Sequence, residues 1–375
     1  MNRGFYLTLM MGGFNASPVP QPVIDALSEA TVISTVGAQG GFQLKFTLGK
    51  NSVVQQMLNS GSFNPRQRVI IAVTVNGQTE VLMDGIITKQ DLTPSSAAGR
   101  SILAITGLDL TALMDFIDFT GIPYPAFPEF VIVEAILAKY AVLGVVPVAL
   151  PASIPTFENP LERFIKQIGT DYKFVSTLAR NTGAVFYLDP GPTPGKSMAY
   201  WGPDISKLFG GAQPAMSINL DANTNIESLS FSYDGTLATQ YLVTILEPNT
   251  KIPIPIPVPN IDLLKAPLAA NAPTPLRSQQ LTPVANENPA GAALAALASL
   301  FQTVDVISGT GQLDVLRYGQ IFKARQLAQV RGAGNYYDGK YYVKSVTHNI
   351  KRGEYKQSFV LSRGGTGSSV STVSV

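Results

Sequence analysis

The sequence predicts a mainly β chain of antiparallel strands with a mixed α/β segment in its middle. Three observations carry that expectation. Alternating apolar and polar residues run through both ends of the chain, as in Gly41 to Leu48 and Tyr355 to Arg363. Asn76-Gly77 and Asp338-Gly339 stand between such runs, and these pairs favour tight hairpins because both central residues take positive φ. From about Leu110 to Arg180 the apolar spacing changes to that of helices.

Taken in order, Met1 to Gly13 reads as a first strand, because no small-residue cleavage pattern follows its short apolar run. Gly41 to Leu48 places Phe42, Leu44, Phe46 and Leu48 on one face. Val69 to Val75 and Glu80 to Gln90 form a hairpin, and Arg100 to Thr106 adds a strand. Strands at this spacing point to a sandwich or barrel. Helical spacing follows in Leu110 to Phe116 and in Val131 to about Leu143. The apolar run Val131 to Leu150 is interrupted by Glu134, Lys139 and Pro147, so it reads as a buried helix and no stable membrane insertion is expected. A helix from Asp171 to Arg180, capped by Thr170 or Asp171 and stopped at Gly183, leads into a strand at Ala184 to Leu188.

Strand pattern returns at Ile226 to Tyr233 and Tyr241 to Leu246. In Lys251 to Pro259, KIPIPIPVP, proline recurs at every second position, which predicts polyproline-type or edge structure because proline has no N–H for a ladder. Ala290 to Leu300 reads as a short helix and Gly319 to Val330 as a strand. Lys340 to Ile350 and Tyr355 to Arg363 close the chain as two long strands, and the tail after Gly364 is expected to fray.

Composition narrows the chemistry. The chain has 375 residues, enough for two or three domains, and 45% of them are hydrophobic while only 14% are charged. The formal charge is +2, which gives no electrostatic reason to expect duplex nucleic acid as a partner. With no cysteine and a single histidine, His348, thiol nucleophiles, Cys-ligated metals and multi-histidine metal sites are excluded. Carboxylate chemistry survives the count.

The C-terminal run NYYDGKYYVKSVTHNIKRGEYKQSFVLSRGG resembles the closing strands of the phage late-control protein D and baseplate-hub family. The matching positions are Gly339, Tyr341, Val343, Val346, His348, Ile350, Tyr355, Phe359, Leu361 and Arg363. Gly169 to Asp189 is similar to that family's Thr-Asp-x-x-Phe-x-x-x-Leu-Ala helix and following strand, through Thr170, Asp171, Phe174 and Leu178. A weaker match joins MDGIITKQDL to LAITGLDLTALMD.

The resemblance implies two tail-tube-like antiparallel β-barrels plus a mixed α/β domain. The expected boundaries are 1–115 for the first barrel, 116–210 for the α/β domain and 211–375 for the second barrel, with a Pro/Ala-rich insertion at about 247–290. It further implies a homotrimer whose six barrels join a hexameric tail-tube ring to a trimeric spike. That spike is expected to be a separate protein, since the sequence stops at Val375 soon after the last strand. Other baseplate components would be partners, DNA would only pass non-specifically through the lumen, and no cofactor is implied. The location would be the virion tail baseplate, with assembly in the host cytoplasm.

Each candidate for chemistry has a plainer reading. GPTPGKS, Gly191 to Ser197, resembles a phosphate loop, but its glycines are too close and two prolines remove donors, so a hairpin loop is favoured. His348 lacks a local carboxylate and nucleophile and reads as structural. Asp115 with Asp118, and Glu158 with Glu162, are the carboxylate pairs a glycoside hydrolase would need, though near neighbours on a helix are usually a solvated face. Lys340, Lys344, Lys351, Arg352 and Lys356 alternate with Tyr341, Tyr342 and Tyr355, a pattern that fits either single-strand stacking or a sheet with one wet face. The sequence therefore favours a structural hub with no catalytic residues. The competing class is a carbohydrate-binding or carboxylate-dependent cell-wall-degrading β protein.

Overall fold

The computed structural model describes residues 4–95, 101–125, 127–151, 165–204, 212–246, 253–258, 268–281 and 305–368. Among these, strands from both ends of the chain merge into one thirteen-stranded sheet. Its front half takes six strands in chain order: Phe5–Gly12, Leu27–Thr35, Gly41–Leu48, Arg68–Val75, Gln78–Thr93 and Ser101–Asp109. The rear half takes another six: Ala212–Ser217, Ser228–Tyr233, Ile307–Asp314, Leu327–Arg331, Gly339–Lys351 and Glu354–Arg363.

Within the sheet, each half lays its strands side by side in the same sequence: second, third, sixth, fifth, fourth, first. Four of the five neighbour pairs in each half are antiparallel in both. The fifth differs, because Phe5–Gly12 lies antiparallel to its neighbour while Ala212–Ser217 lies parallel. Short helices in the same place link the third and fourth strands, Val53–Asn59 capped by Ser52 and Val315–Tyr318 capped by Asp314.

The halves join edge to edge. Ser345 to Lys351 of the rear fifth strand pairs antiparallel with Glu29 to Thr35 of the front second strand. One apolar core spans both halves, with Val32, Leu44, Phe46, Phe63, Ile71, Phe322, Val346, Tyr355 and Phe359 among its members. The strands of the two halves thus run on into one sheet, and no closed barrel is found among the described residues.

The middle segment builds a second core. Helix Glu129–Ala138 and helix Asp171–Thr182 pack with the three-stranded sheet of Val145–Ala149, Ser197–Gly202 and Val185–Pro190 around Ile136, Val175, Leu178 and Trp201. The helix expected from Val131 to Leu143 starts after Pro128 and stops at Ala138, with a 3-10 turn at Ala141–Leu143 ending on left-handed Gly144. No described helix is long and apolar enough to cross a membrane.

Two further expectations change, and the edge expected at the prolines holds. Gly319 to Val330 is a strand only from Leu327, because Ile321 and Phe322 turn into the core and Arg325 takes a φ of 60° that breaks the extension. The segment after Gly364 pairs, Thr366–Ser368 lying antiparallel to Ala269–Asn271. The proline-alternating run forms the edge strand Pro253–Val258, antiparallel to Thr239–Leu246. An antiparallel ladder takes a donor from each strand, so Ile254, Ile256 and Val258 face the partner and Pro253, Pro255 and Pro257 line the outer rim. The helix expected at Ala290 to Leu300 and the pair Glu158 and Glu162 lie outside the described residues.

Candidate functional site

The residues singled out in the sequence fall into three buried clusters. The first is at the seam between halves. His348 is buried, and its Nδ1 accepts the Tyr355 hydroxyl at 2.7 Å, while the Gln357 side chain lies 3.2 Å away and also holds the backbone of Phe322. The rings of Tyr355 and Phe5 pack at 5.5 Å, tying the rear hairpin to the front first strand. Burial without a carboxylate partner pushes the imidazole down to about 3, so His348 stays neutral and acts as a packing and hydrogen-bonding group. Val343, Val346 and Phe359 are core residues beside it.

The second cluster surrounds Arg363, which is fully buried although charged. Its guanidinium donates to the carbonyls of Gly365, Asp338 and Tyr336 at 2.8 to 3.0 Å and lies 4.3 Å from the Tyr341 ring. A side chain at Gly339 would stand 2.8 Å from that guanidinium, in a backbone at φ 127°, so glycine is required here on both counts. Arg363 therefore fixes the loop that precedes the long rear hairpin.

The third cluster anchors the α/β segment. Thr170 caps its helix by accepting from the Lys173 N–H, and its hydroxyl donates to Asp115. Asp171 is fully buried, with its carboxylate taking hydrogen bonds from Gln167 and the Tyr140 hydroxyl and an ion pair from Lys139 at 2.6 Å. Phe174 stacks with Tyr124 at 6.0 Å, and Leu178 is buried beneath.

Two junction groups had no sequence signal. Arg68 makes a bidentate pair with Asp84, both buried, and its remaining N–H groups reach the carbonyls of Phe14, Leu143 and Gly195, while Ser197 donates to Asp84. Arg325 bonds Asp189 at 2.6 Å and Ser34 at 3.0 Å, and lies over Tyr187, so it links rear half, middle segment and front half. A charged residue inside a β-branched run gives no hint of its partner from spacing alone.

The readings that required chemistry are resolved by position. Asp115 receives Thr170, and Asp118 caps Thr120 through its N–H and hydroxyl, so the two serve one loop as separate staples. GPTPGKS is the connection between paired strands Val185–Pro190 and Ser197–Gly202. Tyr341, Tyr342 and Tyr355 are buried, and Lys344, Lys351 and Lys356 pair with Asp305, Glu29 and Glu227. No aromatic platform for bases is available in that hairpin. A cavity of about 330 Å³ at the foot of the seam, lined by Phe5, Leu27 and Ile350, holds one carboxylate, Asp25. No group of three metal-ligating side chains is found among the described residues.

The fold superposes on those of solved phage tail proteins and of a type VI secretion component. A tail protein from Neisseria meningitidis MC58 superposes with a TM-score of 0.61 at 13% identity, over 97% of this chain and 98% of its own. The 43 kDa tail protein of prophage MuSo2 from Shewanella oneidensis gives 0.60 at 14%, covering 96% and 98%. The E. coli c3393 protein, a type VI secretion component with similarity to the T4 tail proteins gp27 and gp5, gives 0.54 at 13%, covering 89% and 73%. No protein-family model and no curated protein matches the sequence.

Proposed function

We propose that this chain is a structural baseplate hub of a contractile phage tail or a phage-derived injection particle. It would adapt a hexameric tail tube to a trimeric spike, without catalysis. The observation that carries this reading is the doubled strand order, six strands laid out alike in both halves of one polypeptide. A chain with two like units turns three copies into six, which is what a threefold object needs to meet a sixfold one. In this reading each half is a tube-like barrel unit, 1–115 and 211–375, and 116–210 is the α/β domain beside them. The junctions formed by Arg68 and Arg325 would hold the three parts at fixed angles, as a ring under mechanical load requires.

Tail-tube protein, a separate spike and other baseplate components would be the partners, and the virion tail the location. The test is particle imaging and native mass of the purified chain, alone and mixed with its tube protein. A trimeric ring that seeds tube growth is the expected result. A persistent monomer that releases sugar from cell-wall polymer would overturn the proposal in favour of the hydrolase class.

A further inference from the structure

The two halves match beyond strand order. In the front half the Arg66 N–H donates to the carbonyl of Ile87, whose own N–H donates to Gln67; in the rear half Arg325, Val343 and Gln326 repeat that exchange. Arg66 and Arg325 both have positive φ, and each follows a fully buried phenylalanine, Phe63 or Phe322, by the same spacing. Just past that point both fifth strands carry a bulge, between Ile87 and Lys89 and between Val343 and Ser345.

Beyond the bulge both fifth strands overhang their fourth strand. The rear overhang, Ser345 to Lys351, is covered by the front second strand. Among the described residues the front overhang, Lys89 to Thr93, is paired only with Ser101–Asp109, and it is exposed throughout. The rear second strand, Ser228–Tyr233, is likewise paired on one side only among the described residues. The molecule thus has one filled joint and the two unfilled halves of an identical joint.

We propose that the front overhang of one copy pairs antiparallel with Ser228–Tyr233 of the next, reproducing the seam between copies. This rests on the hub reading and supplies its contact. With the bulges equivalent, Lys89 corresponds to Ser345, and the ladders across sixth and third strands make Phe231 correspond to Val32. The seam register then assigns Lys89 opposite Asp234, Gln90 opposite Tyr233, Asp91 opposite Ser232, Leu92 opposite Phe231 and Thr93 opposite Ser230. Two features agree with this. Leu92 is 50% exposed, whereas its counterpart His348, in the filled joint, is 5% exposed. A lysine and an aspartate also meet at the first position. The outer rim of Pro253–Val258, by contrast, has no donors to offer.

The chain has no cysteine, so engineered pairs report cleanly. Directly opposed residues of an antiparallel pair lie within ~4.5–5.5 Å, inside disulfide range. The full chain carrying Asp91→Cys with Ser232→Cys is oxidised mildly and run without reductant. A ladder ending at a covalent trimer is expected, whereas Asp91→Cys with Ser228→Cys, displaced by roughly 13 Å, stays uncrosslinked. Leu92→Asp should weaken self-association roughly tenfold or more while leaving the melting temperature in place. A native trimer in which the matched pair fails to crosslink overturns this contact and leaves the hub reading standing. A chain that is monomeric at every concentration and never crosslinks overturns both.

Discussion

The front and rear halves share a hydrogen-bond plan and fill it with different side chains. In the front, Phe42, Leu44 and Phe46 project from the third strand, and the Phe42 ring covers Gly107, where a Cβ would come within 2.3 Å of it. In the rear the third strand has Gly309 and Gly311 instead, and Phe231 and Phe359 from its two neighbours cover them. Volume lost on one strand is restored from the next. The backbone tolerates this because a core needs total volume and close packing more than any one residue. Polar anchoring differs as well. Arg68, which holds the α/β segment through Asp84, stands where the rear half has buried Leu327. The difference teaches that the repeat is one of topology: the front half holds the middle segment in the Arg68–Asp84 socket, whereas the rear half reaches it through Arg325 and Asp189.

The sharpest way to break this comparison is to make the front resemble the rear. Arg68→Leu leaves Asp84 buried and unpaired and should cost about 3–5 kcal/mol, read as the midpoint shift in urea unfolding. Adding Asp84→Leu should recover part of that loss. If the single change is neutral, the socket is not a stabilising feature.

Acid should act through the filled joint. The neutral form of His348 is favoured in the fold, at about 3, against roughly 6.5 when unfolded. The unfolded chain therefore binds the proton first, and stability present above pH 6.5 falls as pH drops toward 3. About 2–3 kcal/mol should be lost between pH 7 and 4.5, and His348→Gln should flatten that slope in melts taken across the range. Equal slopes for both proteins would remove the histidine from the account.

Smaller effects sharpen the likeness. Ser52→Ala and Asp314→Ala each remove the cap of the helix between third and fourth strands and should cost about 1 kcal/mol apiece, in both halves alike. Leu92→Asp, on the bare overhang, should change chain stability by less than ~0.5 kcal/mol in the same denaturation assay. A large effect there would mean the overhang is already packed.

Much of the fold could be read before coordinates. Alternation and the Asn76-Gly77 turn located five of the six front strands but missed Leu27–Thr35, Thr170 and Gly183 bounded the middle helix, and proline periodicity announced an edge. The third and first strands of the rear half escaped, because Ile307–Asp314 carries glycine where a strand usually shows its apolar stripe. The repeat itself escaped for the reason given above: what recurs is a hydrogen-bond exchange, and the only residues that mark it are Phe63 with Arg66-Gln67 and Phe322 with Arg325-Gln326. Of the candidate site, the residues matched by resemblance lie buried in the fold, but their partners could not be read from the sequence. Gln357, Arg68 and Asp189 become legible only when distant strands are brought together.

The proline-lined rim of Pro253–Val258 has one more implication. Under the pairing proposed above, copies that join through raw sheet margins would risk gluing into disordered stacks while they wait. Capping a spare margin with imino acids makes it mute toward other strands, at no expense to the ladder on its inner side. Replacing those three prolines with threonine would give that margin a voice, and turbid solutions in place of discrete rings are the outcome we foresee.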